Sequence, residues 1–263
     1  MLPAVTALRK SFLPKRLFGE ILQYSLVSHG KLLDNRDMIV LLIPQTLFLI
    51  LLLRAEFKQD TAMIKIFKPT ETCLIIVLAV FGNLYATTAP GMLILFGLLF
   101  SLAGDIALIH PEEKKRFAAG LGTFLVAHML YIASFIILVP GHWLDPRVLA
   151  VTGILLVLGT VIYILMLPGL KNMKIPVAGY MIFISLMVLR SFCVFRFIPN
   201  ESIYHSKGLF IFVGAALFYV SDVILALNRF YRQMKYNRMS LVFYYGGQTL
   251  IAMTTIVSEH ILF

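Results

Sequence analysis

Two aspartates, Asp105 and Asp222, stand deep inside long apolar segments, LFSLAGDIAL and LFYVSDVILAL. A carboxylate at membrane depth costs roughly 2.5–3.5 kcal/mol on insertion scales, so it turns toward the protein interior and usually serves function. Two carboxyls close together in low dielectric cannot both ionise easily, which leaves one acid and one anion. Such a pair suits general acid/base catalysis, and it suits the proton coupling of a carrier equally well. Other polar groups fall in apolar runs too: the mid-span histidine His128, with Tyr131, Tyr180, Gln248 and Arg190. Taken singly, each has a plainer reading, as a packing residue or as half of an interhelical ion pair. Arg190 lies toward the opposite end of its segment from Tyr180, where it reads either as a structural counter-charge or as part of the site.

The elements that must position these groups are membrane spans. Of 263 residues, 60% are hydrophobic, and the mean hydropathy is +0.89, too apolar for an ordinary soluble domain. A span needs about 20 apolar residues, and runs of that kind predict helices at 38–53, 70–88, 91–110, 117–139, 148–167, 175–195, 208–228 and 239–261. The first is short and open to extension through Asp37 or past Arg54. Pro90-Gly91, Pro140-Gly141 and Pro168-Gly169 stand where connections are needed. The expected fold is an all-α integral membrane protein with about eight transmembrane helices in one bundle, over residues 38–263. Residues 1–37 form a separate basic region. Its stretch Leu17–Val27 reads either as an interfacial helix or as part of a basic tail. No cleavable signal pattern is evident there, so the first span is expected to act as a signal anchor. Cys73 and Cys193 read as free packing thiols.

The net charge of +10 is mostly a topology signal. Connections 1–2, 3–4, 5–6 and 7–8 hold 13 Lys and Arg, against 3 in the other connections and the C-terminus. Basic loops stay in the cytosol, so the former set is expected on the cytosolic face. The N-terminal region, with 6 basic residues, runs against that bias. Either it is translocated despite its charge, or the first helix is not a full span. The scatter of basic residues over short loops makes nucleic-acid binding a poor explanation of the charge, and no nucleic-acid partner is expected. No zinc spacing, phosphate-cradling glycine loop or G-x-S-x-G elbow is present.

Asp105 and Asp222 each lie about six residues before the end of a helix running toward the basic face, about 9 Å inside it at 1.5 Å per residue. His128, Gln248 and Tyr180 enter from the same face, with Lys68 at the mouth of the second helix. Comparable depth points to one cavity. A faint echo, LF…GD-x-x-L against LF…SD-x-x-L and AHMLYIA against GQTLIA, suggests a parallel 4+4 repeat.

In order along the chain come Lys68-Pro69, Phe100-Ser101-x-x-Gly104-Asp105, and Phe117-x-x-Gly120 with Phe124, His128 and Tyr131. Then follow Pro176-Val177-x-x-Tyr180, Gly214-Ala215-x-Leu217-Phe218-x-x-Ser221-Asp222, and Tyr245-x-x-Gln248. This ordered set, over about residues 68–252, resembles the YhhN-type membrane proteins. The resemblance implies a lysoplasmalogenase, a multi-pass hydrolase that cleaves the vinyl ether of lysoplasmalogens to a fatty aldehyde and a glycerophospho-headgroup. It implies no metal or organic cofactor, a lysophospholipid substrate among membrane lipids, and the endoplasmic reticulum membrane as the expected location. Ser101 and Ser221 enter the expected site through their motifs.

Vinyl ethers resist bases and nucleophiles but react once a proton reaches the β-carbon, giving an oxocarbenium-like cation that water captures. Such a reaction needs one protonated carboxyl and one carboxylate to stabilise the cation and to orient or deprotonate water. Asp105 and Asp222 are the expected pair, in either assignment. His128 is expected to orient water or a carboxyl, with Tyr131 or Tyr180 donating to substrate oxygens and Lys68 meeting the lipid phosphate at the rim. The competing reading is a proton-coupled transporter or flippase. Against it, both acids lie off the midplane, and the spans lack paired Gly/Pro interruptions.

Overall fold

The computed structural model describes residues 35–85, 87–110, 112–198, 205–234 and 237–256. The basic region up to residue 34, with its expected interfacial stretch, lies outside the described residues. Those described form eight α-helices and no strand: α1 (Asn35–Phe57), α2 (Thr61–Tyr85), α3 (Ala89–Ala107), α4 (Lys114–Leu138), α5 (Pro146–Leu170), α6 (Lys174–Phe197), α7 (His205–Phe230) and α8 (Ser240–Met253). Short 3₁₀ turns, Lys171–Met173 and Asn237–Met239, precede α6 and α8. Four stretches are long and apolar enough to cross a membrane: Ala89–Ala107, Lys114–Leu138, Pro146–Phe197 (which holds α5 and α6) and Ser206–Phe230. The protein is an all-α membrane protein. Its outer surface carries Ile154, Leu156, Val157 and Ile182, each at least 65% exposed, an apolar face that only lipid or a partner would cover.

Helix starts follow capping chemistry. The Thr88 hydroxyl accepts from the Gly91 N–H at 3.1 Å and opens α3. The Asp145 carboxylate accepts from the Arg147 N–H at 2.8 Å, with Pro146 beginning α5. The sequence placed the second helix from residue 70, beyond Pro69. Instead α2 begins at Thr61, where the Asp60 carboxylate accepts from the Met63 N–H at 3.2 Å, and Pro69 is carried inside the helix. At the other end of the bundle α8 stops at Met253. At 1.5 Å per residue it is about 21 Å long, short of the roughly 30 Å of a bilayer core.

The most extensive helix contacts are α3 with α4 and α7 with α8. Both depend on missing side chains. A Cβ on Gly104 would lie 2.6 Å from the Phe124 ring, and one on Gly247 would lie 2.6 Å from the Gly214 carbonyl oxygen. These close approaches bring α4 side chains over α3, and α8 side chains beside α7. Further contacts join α2 to α1, α3 and α8, and join α6 to α4, α5 and α7.

Candidate active site

Asp105 sits two residues before the end of α3, closer to the helix terminus than the sequence implied, because the chain turns at Leu108 despite its apolar character. It is 2% exposed and surrounded by donors. The Thr72 hydroxyl on α2 donates to its Oδ2 at 2.5 Å, and the Tyr244 hydroxyl on α8 donates to the same oxygen at 2.7 Å. Lys68, one turn before Thr72, brings its Nζ to 3.9 Å from Oδ1 and also donates to the Leu108 carbonyl at 3.3 Å. Lys68 was expected at the rim. It is instead 7% exposed, and the longer α2 carries it inward.

Asp222 sits eight residues before the end of α7. The Tyr180 hydroxyl on α6 donates to its Oδ2, and His128 Nε2 on α4 lies 3.8 Å from that oxygen. The other ring nitrogen of His128, Nδ1, contacts the backbone carbonyl of Phe124. A carbonyl only accepts, so Nδ1 carries the hydrogen. In its neutral form the ring then presents the lone pair of Nε2 to Asp222. A lone pair facing a carboxylate is repulsive, so this setting favours a proton on one of the two groups, which at 3.8 Å are not hydrogen-bonded to each other. The His128 ring is fully buried, packed edge-on against Tyr180 and Phe218 with ring centres 5.2 and 4.8 Å away.

Both aspartates line one cleft of about 560 Å³. Its walls include Phe117, Phe124, Ser221 and Tyr244, and its mouth is formed by Gln59, His110, Arg229, Arg232 and Arg238. Those mouth residues come from connections α1–α2, α3–α4 and α7–α8 or the helix ends beside them, which are three of the four basic connections. Arg238 pairs with Glu56 at 3.2 Å, whereas Arg229 lies over the Phe117 ring, 5.0 Å from its centre. The Asn228 side-chain amide oxygen, Oδ1, accepts from the Met234 N–H at 2.9 Å, which turns the chain back after α7 beside the mouth. From Asp222 a second, apolar slot of about 50 Å³ leads between α4, α5, α6 and α7, past Leu121, Ile162, Met166 and Ile184. Asp222 therefore stands where a polar opening meets an apolar one.

Three further expected residues form a separate relay behind Asp105. The Tyr131 hydroxyl donates to Gln248 Oε1 at 2.8 Å, and Gln248 Nε2 donates to Ser101 Oγ at 2.9 Å, all fully buried. Ser221 lines the cleft and is buried. Arg190 is not part of this group. It is fully buried near the opposite end of the bundle, donating to the carbonyls of Gly141 (2.9 Å) and Val139, with its guanidinium 4.4 Å from the Trp143 ring centre. Sequence reasoning missed Thr72 and Tyr244 as partners of Asp105. Each stands four residues from a residue it had singled out, Lys68 and Gln248, hence on the same helix face. The predicted helix 70–88 also put Glu71 at its very start. Glu71 is in fact fully buried within α2, and neither of its carboxylate oxygens has a hydrogen-bond partner among the described residues.

No solved structure matches the chain. Among curated proteins it is 30% identical over 190 residues to bovine "Lysoplasmalogenase TMEM86A", an alignment covering 71% of this chain and 75% of the relative. It is 32% identical over 162 residues to rat "Lysoplasmalogenase TMEM86B", covering 60% and 59%. An Escherichia coli protein named "Uncharacterized membrane protein YhhN" is 26% identical over 198 residues, covering 75% of this chain and 89% of that protein. The YhhN family model matches residues 63–255, a range that holds both aspartates and their partners Lys68, Thr72, His128, Tyr180 and Tyr244, so the chain belongs to the YhhN family.

Proposed function

We propose that the protein is a membrane lysoplasmalogenase, hydrolysing the vinyl ether of a lysoplasmalogen with Asp222 as proton donor and Asp105 as anion. The observation that carries this reading is the unlike setting of two carboxyls in one cleft. Asp105 has Lys68 nearby and two hydroxyl donors, an arrangement made to hold negative charge. Asp222 faces the lone pair of His128 Nε2 at the edge of an apolar slot, an arrangement made to hold a proton.

The chemistry balances with these two groups. Asp222 gives its proton to the β-carbon of the alkene, and the positive charge spreads over the ether oxygen and the α-carbon. Water adds at the α-carbon and loses a proton to Asp105. The resulting hemiacetal collapses: its hydroxyl proton goes, by way of water, to the departing glycerol oxygen, and the aldehyde leaves. A proton passing from Asp105 to Asp222 restores the starting state. Tyr180 orients the donor carboxyl. The relay through Tyr131, Gln248 and Ser101 stiffens the α3–α4–α8 wall behind Asp105. Arg229 and Arg232 at the mouth take the place first given to Lys68 and meet the phosphodiester, consistent with the general preference of guanidinium for phosphate.

The domain over residues 38–263 is read as eight spans, the short α8 included, with the cleft opening to the cytosol and the endoplasmic reticulum membrane as the location. The basic connections around the mouth support that orientation. A parallel 4+4 repeat is supported by the way the contacts exchange. Asp105 on α3 is held from α2 and α8, while Asp222 on α7 is held from α6 and α4, the pattern a swap of halves would give. The test is purified protein in detergent with a lysoplasmalogen and with its saturated ether analogue. Aldehyde from the first and none from the second is expected. No aldehyde from either would overturn the reading.

A further inference from the structure

We propose that the lipid-facing groove between α5 and α6 holds the hydrocarbon chain of the substrate, and that Met181 sets the chain length accepted. This rests on the lysoplasmalogenase reading and adds a binding site to it. The groove has a volume of about 410 Å³ and runs along Thr152, Gly159 and Tyr163 on α5 and Met181, Ser185 and Leu189 on α6. Met181 also lines the apolar slot beside Asp222. Met181 is the one residue lining both spaces, and the slot alone, at about 50 Å³, has room for only about three or four water-sized groups. A long chain whose ether oxygen sits at Asp222 cannot be housed there and must continue elsewhere.

Direction and length agree with that continuation. Tyr180, which bonds Asp222, immediately precedes Met181, and Leu189 lies eight residues farther from the basic end of α6. The groove therefore leaves the level of Asp222 and runs toward the bilayer interior. From Thr152 to Tyr163 it extends about 16 Å at 1.5 Å per residue, close to half of a hydrocarbon core roughly 30 Å thick. The partition is also soft. A Cβ built on Gly159 would meet only the terminal methyl of Met181, at 3.9 Å, so an unbranched thioether lies opposite a residue with no side chain.

Two substitutions move this partition in opposite senses. Met181→Ala widens the passage and Gly159→Phe fills it, and kcat/KM is compared for short-chain and long-chain lysoplasmalogens. The long-to-short ratio is expected to rise with Met181→Ala and to fall by about 10-fold or more with Gly159→Phe, the scale of losing a methylene-sized contact in an apolar pocket. Ratios equal to wild type in both variants would overturn the proposal. A second arm does not need turnover: the saturated ether lysolipid, carrying a photoreactive group at its chain end, should crosslink to residues 152–163 or 178–189 in wild type and less in Gly159→Phe. Equal crosslinking by a diacyl phospholipid with the same group would make the groove a general lipid contact and overturn the proposal. If wild type releases no aldehyde at any chain length, the enzymatic reading fails, and crosslinking still decides the groove.

Discussion

Arg190 and Asp222 are charged side chains on neighbouring helices, α6 and α7, and their surroundings differ in what is left open. The guanidinium of Arg190 is closed off by the protein: two carbonyls at the α4–α5 connection and the face of Trp143. Asp222 has one hydroxyl donor, a histidine nitrogen at 3.8 Å, and a cleft on its free side. Burial alone did not distinguish them, since Arg190 is the more completely buried of the two. The distinguishing feature is whether every polar partner belongs to the chain. A sealed charge fastens a loop to a helix, and an open one is free to exchange a proton with something that enters.

The sharpest way to break that contrast is to neutralise the acids. Asp222→Asn and Asp105→Asn should each lower aldehyde release by about 10²-fold or more, the usual weight of a general acid or base, with the detergent-solubilised protein eluting as wild type. Near-normal turnover in either variant would remove that residue from the mechanism. Arg190→Met should do the reverse. It strands the carbonyls of Val139 and Gly141, at about 1–3 kcal/mol for each unsatisfied group. The unfolding midpoint should therefore fall while turnover per folded molecule stays near wild type. A collapse of turnover at unchanged stability would place Arg190 in the chemistry and end the comparison.

A smaller effect sharpens the contrast within the cleft. Tyr180→Phe removes the hydroxyl donor of Asp222, and Tyr244→Phe removes one of two from Asp105. Tyr244 supports the standing charge of Asp105, and Tyr180 the charge that Asp222 acquires as it gives up its proton. Hydrogen bonds to a charged group are worth about 1.5–3 kcal/mol, so each change should cost roughly 10-fold or more in kcat, with KM little moved. A loss confined to KM would recast these tyrosines as substrate contacts. The smallest effect belongs to Gln248→Leu. It breaks the relay between Tyr131 and Ser101 and should lower stability by about 1–3 kcal/mol for each stranded hydroxyl, read as a thermal shift with only a modest change in kcat.

The helices were legible in the sequence because lipid enforces long apolar runs. Of the three Pro-Gly pairs only Pro140-Gly141 stands in a connection, whereas Pro90-Gly91 opens α3 and Pro168-Gly169 is carried inside the end of α5. The two acids were legible because a carboxylate in such a run has no cheap explanation. What escaped was register at the helix ends. Pro69 looked like a helix start, so Lys68 was put at the rim, whereas the capping aspartate Asp60 lies nine residues upstream and draws Lys68 inside. Leu108 and Ile109 looked like a continuing span, so Asp105 was put deeper in its helix than it lies. Thr72 and Tyr244 went unnoticed because hydroxyls are ordinary in apolar helices, and only tertiary packing shows which of them meet a carboxylate.

The most direct test of the account follows the proton itself. Purified protein turning over a lysoplasmalogen in D₂O should release aldehyde more slowly than in water, beyond what solvent viscosity explains. One deuterium should appear on the carbon next to the aldehyde carbonyl, because the slow step transfers a proton from a carboxyl to carbon. Aldehyde released without deuterium at that carbon would contradict the proton-donor role of Asp222, even with the enzyme class intact.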